Sequence, residues 1–256
     1  MYVDRGTGAM QRTDITVPDT AIRAVIRLLM AAAGGYLDPE APFANLTLAC
    51  GARFSGAMPP VSDEGQISIR THLRILRPLS EFMSERFIEL VSDAVKARKS
   101  LVIGGATSAG KTTLLNSLIN LIPHDQKLLV IEDAPELQLA PGRNVVRRLA
   151  TGRANLRRHV FESLRYRPDW IIVGETHDQS ARDLMDAART GHPGISTVHA
   201  NSALGILSRL QSLADCDQQF VNEAVDLLIF VQRFPDGQRR VTEMLAKQRD
   251  LTWTAV

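Results

Sequence analysis

One segment of the chain, residues 105–112, constrains its fold more than any other. It reads Gly-Ala-Thr-Ser-Ala-Gly-Lys-Thr and matches the pattern G-x-x-x-x-G-K-[ST] completely. The apolar run 101–103 precedes it, and Leu114, Leu115 and Leu118 follow it at helical spacing. A strand, a glycine-rich loop and a helix in this order direct backbone N–H groups toward phosphate. We therefore predict that the chain binds a nucleoside triphosphate.

Individual residues of this loop, the Walker A loop, have separate expected roles. Lys111 would reach the β- and γ-phosphates, and the Thr112 hydroxyl would hold Mg²⁺. The nucleotide is expected to contact the whole loop and the start of the helix: Gly105, Ala106, Thr107, Ser108, Ala109, Gly110, Lys111, Thr112 and Thr113. The sequence contains neither a guanine-reading N-K-x-D tetrapeptide nor an L-S-G-G-Q stretch. ATP with Mg²⁺ is therefore the expected pair.

Two glutamates follow apolar runs that are typical of buried parallel strands. Glu132 comes after the run 128–131, and Glu175 comes soon after the run 170–173. In open α/β sheets, ligands bind at the edge where the strands end. An ATPase needs one carboxylate for the shell of Mg²⁺ and one to orient or deprotonate the attacking water. Glu132 and Glu175 are the candidates, and capping of the next helix is the structural alternative.

His199 ends a further apolar strand, at residues 195–198. A neutral imidazole in this position can hydrogen-bond the γ-phosphate or the attacking water. We therefore add His199 to Lys111, Glu132 and Glu175 as a catalytic candidate. Zinc is not expected, because no third ligand lies near His199 and His192 in the sequence.

Strand and helix patterns divide the chain into two parts. Residues 1–76 predict a small α+β domain with a helix over 21–33, capped by Asp19 or Thr20, and short strands separated by turns. Residues 77–256 begin with a helix capped by Ser80 and then alternate strands with helices, which predicts a parallel sheet. A hairpin is predicted around Pro235-Asp236-Gly237. The fold class is therefore α/β.

Composition excludes several other classes of protein. No apolar run reaches the roughly 18 residues of a membrane span, and two cysteines are too few for a disulfide framework. A cytoplasmic protein is therefore expected. The net charge of +2 conceals a stretch, 143–167, with eight arginines and one acid. This stretch is a solvated helix face or a group of residues that binds phosphate or another acidic partner.

Four segments together resemble the secretion ATPase superfamily, and more narrowly the TrbB-type conjugal transfer ATPases of type IV secretion systems. The segments are 105–113, 131–137, 164–175 and 190–202. The resemblance extends over nearly the whole chain and implies a RecA-like P-loop NTPase domain behind a small N-terminal domain. Family members carry several dozen residues before the point that matches Met1, so we expect the N-terminal domain to be incomplete at its start.

The resemblance also implies roles for individual residues. Lys111 and Thr112 become the Walker A pair, Glu132 and Asp133 fall in the Asp box, and His199 in the His box. Glu175 becomes the Walker B glutamate and a metal-site residue beside Thr112. Such proteins form hexameric rings with ATP between neighbouring subunits and between the two domains of each. Arg53 and Arg70 match the arginines of the N-terminal domain that contact the nucleotide. Arg153, Arg165 and Arg167 would contact the nucleotide or the neighbouring subunit. For the remaining arginines of the stretch 143–167, a plain surface position is the alternative. In the family, an arginine commonly follows shortly after the Walker B glutamate. Here Thr176 follows Glu175 and the arginine is missing, and whether Arg182 replaces it stays open.

The expected function is Mg²⁺-dependent ATP hydrolysis by a homo-hexameric motor for conjugal transfer or type IV secretion. The motor would act at the inner face of the cytoplasmic membrane and contact membrane components of the apparatus. A pilus assembly or retraction motor, or a nucleotide-binding regulatory subunit with little turnover, is the alternative. Direct binding of nucleic acid is not expected, because the arginine stretch contains few aromatic residues.

Overall fold

A computed structural model describes residues 1–4, 10–71, 76–150 and 156–256. The chain divides into two compact units, residues 1–74 and 75–256. No helix among these described ranges is both long enough and apolar enough to cross a lipid bilayer.

The first unit combines one helix with antiparallel strands. Its elements are β1 (Tyr2–Val3), β2 (Gln11–Arg12), α1 (Asp19–Ala32), β3 (Phe43–Thr47), β4 (Arg53–Ala57) and β5 (Gln66–Arg70). Strands β3, β4 and β5 form a sheet in that order. Ile26 of α1 packs with Ala44, Phe54 and Met58 into a small apolar core. Burial of this one helix face holds the helix on the sheet.

The second unit contains an eight-stranded sheet with helices on both faces. Its helices are α2 (Glu85–Lys96), α3 (Lys111–Ile119), α4 (Leu156–Ser163), α5 (Ser180–Arg189), α6 (Ala203–Ala214) and α7 (Gln218–Ala224), with 3₁₀ turns at Leu79–Glu81 and Leu164–Tyr166. Its strands are β6 (Leu101–Gly105), β7 (Leu128–Glu132), β8 (Val145–Leu149), β9 (Trp170–Val173), β10 (Gly194–His199), β11 (Leu227–Arg233), β12 (Arg239–Lys247) and β13 (Trp253–Ala255).

The strand order is β13-β12-β11-β6-β10-β9-β7-β8. The six strands from β11 to β8 run parallel, and β12 and β13 are antiparallel additions at one side. Helices α2 and α3 cover one face, and α5, α6 and α7 cover the other. The central strands are apolar throughout because both of their faces are buried. The predicted α/β fold with a mostly parallel sheet is confirmed.

Two predicted helix starts are wrong in detail. Pro18, not Asp19 or Thr20, occupies the position before α1. Asp19 instead lies in the first turn, and its Oδ1 accepts the backbone N–H of Gly65 at 2.6 Å. Ser80 lies in a separate 3₁₀ turn, and α2 begins only at Glu85. Cap residues are short polar side chains that serve turns equally well, so the pattern alone does not separate these uses.

The arginine-rich stretch contains a strand that the pattern did not predict. Residues Val145–Leu149 form β8, which pairs with β7 at one side of the sheet. Arg147 and Arg148 in its centre gave the segment a charged character. Edge strands tolerate and often carry such charges, because they keep the open edge from pairing with another chain.

Candidate nucleotide-binding site

The Walker A loop connects the end of β6 to the start of α3. Gly110 has φ +100° and Ser108 has φ +62°, so the loop turns through left-handed conformations before the helix begins. A Cβ atom at Gly105 would lie 2.5 Å from the carbonyl oxygen of Val231. Glycine is therefore required at 105 by close packing against β11 and at 110 by its backbone conformation.

Lys111 lies folded against its own loop. Its Nζ donates to the carbonyl oxygens of Gly105 and Ala106, both at 3.0 Å, and lies 3.2 Å from Nδ1 of His199. The residue is only 7% exposed. An ammonium group held by carbonyl oxygens at a helix N-terminus can exchange these partners for phosphate oxygens.

His199 joins Lys111 to Glu175. Its Nε2 lies 2.7 Å from Oε1 of Glu175. The Lys111 ammonium can only donate, so Nδ1 must be the acceptor, and the carboxylate requires Nε2 to carry the proton. Hydrogen bonding therefore selects a neutral imidazole with the proton on Nε2.

Strand order explains why these three side chains meet. Strand β10 lies between β6 and β9, and His199 is in register with Gly105. Thr197 of β10 holds the segment after β9 on both sides of Glu175. Its backbone oxygen accepts from the Thr176 N–H at 2.8 Å, and its hydroxyl donates to the Gly174 oxygen at 2.7 Å. Glu175 is thus positioned by main-chain and hydroxyl contacts that do not involve its carboxylate.

Glu132 lies away from this group. Strands β10 and β9 separate β7 from the Walker A strand β6. The side chain is 2% exposed, and Oε1 accepts the backbone N–H groups of Glu136 at 2.9 Å and Leu137 at 2.7 Å. Its Oε2 lies 3.3 Å from Nε of Arg147. Burial raises the pKa of Glu132, while these N–H groups and Arg147 act against the rise. A catalytic role for Glu132 stays a prediction. The alternative of capping the next helix is wrong, because residues 133–144 form no helix, and Glu132 instead holds the loop that follows β7.

We predict that Glu132→Ala lowers the free energy of unfolding by about 2–4 kcal/mol, because two backbone N–H groups lose their acceptor. Glu132→Gln keeps an acceptor oxygen and should cost about 1 kcal/mol or less. Chemical denaturation at several pH values measures both. Equal losses in the two variants would contradict the structural role.

The pH dependence has a definite sign. Because the folded-state pKa of Glu132 is raised above the usual 4.5, the folded protein binds this proton more strongly than the unfolded chain. The contribution to stability is therefore complete below 4.5 and is lost as the pH rises through the folded-state value. Lowering the pH from neutral should stabilise the wild type relative to Glu132→Gln.

Asp133 and Arg182, two further residues considered from the sequence, make contacts that do not involve Lys111, His199 or Glu175. Asp133 is about half exposed and lies 3.7 Å from Nδ1 of His177. The Arg182 side chain lies at the end of α6, and whether it takes the place of the family's arginine stays a prediction. Its guanidinium donates to the backbone oxygens of Ala214 at 3.3 Å and Asp215 at 3.2 Å, at the end of α6.

Several arginines of the stretch 143–167 have structural partners. Arg143 donates to the carbonyl oxygens of Ile119 at 3.0 Å, Ile122 at 2.6 Å and Pro123 at 3.1 Å, and so caps the end of α3. Arg148 lies over the ring of Tyr166, 4.8 Å from its centre. The high positive charge of this stretch is therefore explained in part by packing within the unit.

Arg165 lies 3.6 Å from Glu162, before the start of β9. Parallel strands begin at that edge of the sheet, whereas the Walker A loop lies where they end. The structure does not bring Arg165 to the Walker A loop of its own chain, and a contact with a neighbouring subunit stays a prediction. The same applies to Arg167, and Arg153 lies outside the described residues.

Arg53 and Arg70 belong to the first unit. They lie directly opposite each other on β4 and β5. Two like charges in such a position repel each other. Their role toward the nucleotide stays a prediction.

The donor set at the strand ends suits Mg²⁺ in a phosphate site. Among the described residues, no group of three or more His, Cys, Asp or Glu side chains forms a metal cage. Magnesium in such sites needs only one or two protein oxygens besides phosphate and water. The Thr112 hydroxyl provides an oxygen of this kind, and the Glu175 carboxylate can contact the ion through a bound water, so the residues fit the ion.

Two side-chain contacts were not predicted from the sequence. Arg147 pairs with Glu132, and the aliphatic part of Arg239 lies against Gly110 of the Walker A loop. The β-branched pair Val145 and Val146 just before Arg147 could have indicated a strand. For Arg239 the predicted hairpin was the only signal, because nothing in the sequence places that hairpin beside β6.

Comparisons with known proteins agree with this fold. Residues 58–252 match the family model described as "Type II/IV secretion system protein". The conjugal transfer protein TrbB of Rhizobium radiobacter is 36% identical over 261 residues, which cover 96% of this chain and 80% of that protein.

Two solved structures share the architecture. The Legionella pneumophila ATPase DotB has a TM-score of 0.69 at 23% identity, covering 95% of this chain and 73% of that one. The VirB11 ATPase of the Brucella suis type IV secretion system has a TM-score of 0.58 at 22% identity, covering 90% and 84%. The chain therefore belongs to the type II/IV secretion system protein family, as a homologue of the TrbB conjugal transfer proteins with the fold of secretion ATPases.

Proposed function

We propose that this protein hydrolyses ATP in a Mg²⁺-dependent reaction and so drives conjugal transfer or type IV secretion. The observation that carries the proposal is the hydrogen-bonded row from Lys111 through His199 to Glu175 beside the Walker A loop. A protein that only binds a triphosphate needs no carboxylate near the Walker A loop to accept a proton from water, whereas an ATPase does.

Each member of the row has a role in this mechanism. Lys111 leaves the carbonyl oxygens of Gly105 and Ala106 and donates to the β- and γ-phosphates. Glu175 orients a water molecule and accepts its proton as the water oxygen bonds to the γ-phosphorus and the bond to the β-phosphate oxygen breaks. Its side chain is 38% exposed, so water reaches it. Neutral His199 keeps the Glu175 carboxylate oriented and links its position to that of Lys111.

Thr112 would hold the magnesium ion directly, and Glu175 would contact it only through a bound water, so that its carboxylate stays able to accept a proton. When bound, the ion neutralises charge on the phosphate oxygens. The protein residues, not the ion, supply the acceptor for the proton of the attacking water.

The biological role is proposed from the family. TrbB is a conjugal transfer protein by name, and the shared fold includes an ATPase of a type IV secretion system. We propose a homo-hexameric ring on the cytoplasmic side of the membrane, in contact with membrane components of such an apparatus. Arg53, Arg70 and Arg165 would then contribute positive charge to nucleotides at domain and subunit interfaces.

Phosphate release by the purified chain, with and without added Mg²⁺, tests the reaction. Light scattering with and without a nonhydrolysable ATP analogue tests the assembly. We expect release only with Mg²⁺ and a mass of six 28.2 kDa subunits when nucleotide is bound. An assembled ring that binds ATP without turnover would instead indicate a regulatory subunit, and no nucleotide binding would contradict the proposal.

A further inference from the structure

Arg239 lies on the opposite side of the Walker A loop from Glu175. Strand β11 adjoins β6 on the side away from β10, and it continues beyond the register position of Gly104. The hairpin between β11 and β12 therefore extends past the edge where β6 ends. Arg239 is the first residue of β12, in register with Arg233 of β11.

The side chain of Arg239 contacts the loop itself. A Cβ atom placed on Gly110 would overlap Cδ of Arg239 and would lie 3.2 Å from its Nε. The guanidinium is thus at the position where the loop becomes α3. Only glycine at 110 permits this approach, which adds a second reason for glycine besides the backbone conformation.

The surroundings of Arg239 favour an anion. Its Nε is buried and has no hydrogen-bond partner, and no carboxylate pairs with Arg239 within the described ranges of the chain. Burial, together with the neighbouring cations Arg233 and Arg77, lowers the pKa of the Arg239 guanidinium. Desolvated positive charge without a counter-charge is costly unless a ligand supplies one.

The direction of a bound nucleotide follows from the proposed function, on which this inference rests. The γ-phosphate must lie near Glu175 and His199, on the β10 side of β6. The rest of the nucleotide then extends across the loop toward the β11–β12 side. We infer that Arg239 is a nucleotide-binding residue whose guanidinium contacts the α-phosphate. A planar guanidinium suits the oxygens of a phosphate group in this way.

The test compares Arg239→Gln with Arg240→Gln. Arg240 is the next residue on the same strand, so its side chain points to the other face and the change in charge is identical. It pairs with Asp236 at 3.2 Å. For Arg239→Gln we expect about tenfold weaker ADP binding by calorimetry and an about tenfold higher KM for ATP. The kcat should change less than about twofold, because Arg239 lies away from the γ-phosphate.

Two further measurements make the test specific. Orthophosphate, a single group that can fill the β-phosphate position without extending to the α-phosphate position, should inhibit binding of fluorescent ADP with the same inhibition constant in wild type and Arg239→Gln. Arg239→Lys should fall between wild type and Arg239→Gln, and all variants should melt at the same temperature as the wild type.

The inference is overturned if Arg239→Gln binds ADP as the wild type does, if Arg240→Gln weakens ADP binding equally, or if orthophosphate loses as much affinity as ADP. In each of those results the wild type still binds ADP and hydrolyses ATP, so only the role of Arg239 fails. A wild type that does neither would overturn the proposed function and this inference with it.

Discussion

Lys111→Ala is expected to reduce ATP hydrolysis by about 100- to 1,000-fold. The Nζ atom is the cationic group that lies within the Walker A loop, bonded to Gly105, Ala106 and His199. Removing one preorganised charged donor from a phosphoryl-transfer site costs rate enhancement of that order. Phosphate release and ADP binding are the measurements, and both should fall.

Lys96→Ala is the matched control. Lys96 is a lysine of the same unit, and its side chain is 77% exposed. Among the residues that the structure describes, it pairs with Asp93, three residues earlier. Its loss should leave turnover unchanged. Equal rates in the wild type and Lys111→Ala would contradict the proposed reaction, provided that both proteins melt at the same temperature.

Glu175→Gln is expected to lower kcat by about 100- to 10,000-fold while ATP binding is retained. Glutamine has the same size, and its Oε1 can still accept the proton of His199 Nε2. What is lost is the group that accepts a proton from water. Rapid-quench measurements should therefore show bound ATP that is not cleaved.

Glu89→Gln, at an exposed position of α2, is the control for this change. Glu132→Gln provides the decisive comparison between the two glutamates. If Glu132→Gln abolished turnover and Glu175→Gln did not, the assignment of the general base to Glu175 would be wrong. The distance of β7 from β6 in the sheet leads us to expect the opposite.

Glu132 and Glu175 have different surroundings in the structure, and the sequence pattern did not predict this difference. Both glutamates end or follow apolar strands, and the pattern treats them alike. In the structure, Glu132 accepts two backbone N–H groups of its own loop, while Glu175 faces His199. The difference depends on which strands are neighbours, and the apolar runs of buried strands are too similar to encode this order.

The sequence likewise did not show which arginines are structural and which lie near the Walker A loop. A count of charges identified the stretch 143–167 as unusual, but Arg143 caps α3 and Arg147 pairs with a buried carboxylate. Arg239 lies next to the predicted hairpin and outside that stretch, yet its side chain contacts the Walker A loop. Charge density along a chain reports composition, whereas the electrostatics of a site depend on which residues meet in space.

The sequence alone determined the Walker A loop, the parallel α/β sheet and the edge at which the site lies. These features are local: the loop is eight contiguous residues, and the strands and helices follow from the spacing of apolar side chains. Only the tertiary structure decided that β10 lies between β6 and β9, that His199 joins Lys111 to Glu175, and that Arg239 reaches Gly110 from β12. These contacts connect residues about 20 to 130 positions apart, and they arise from burial of the whole sheet between its helices, a collective energy that no short segment contains.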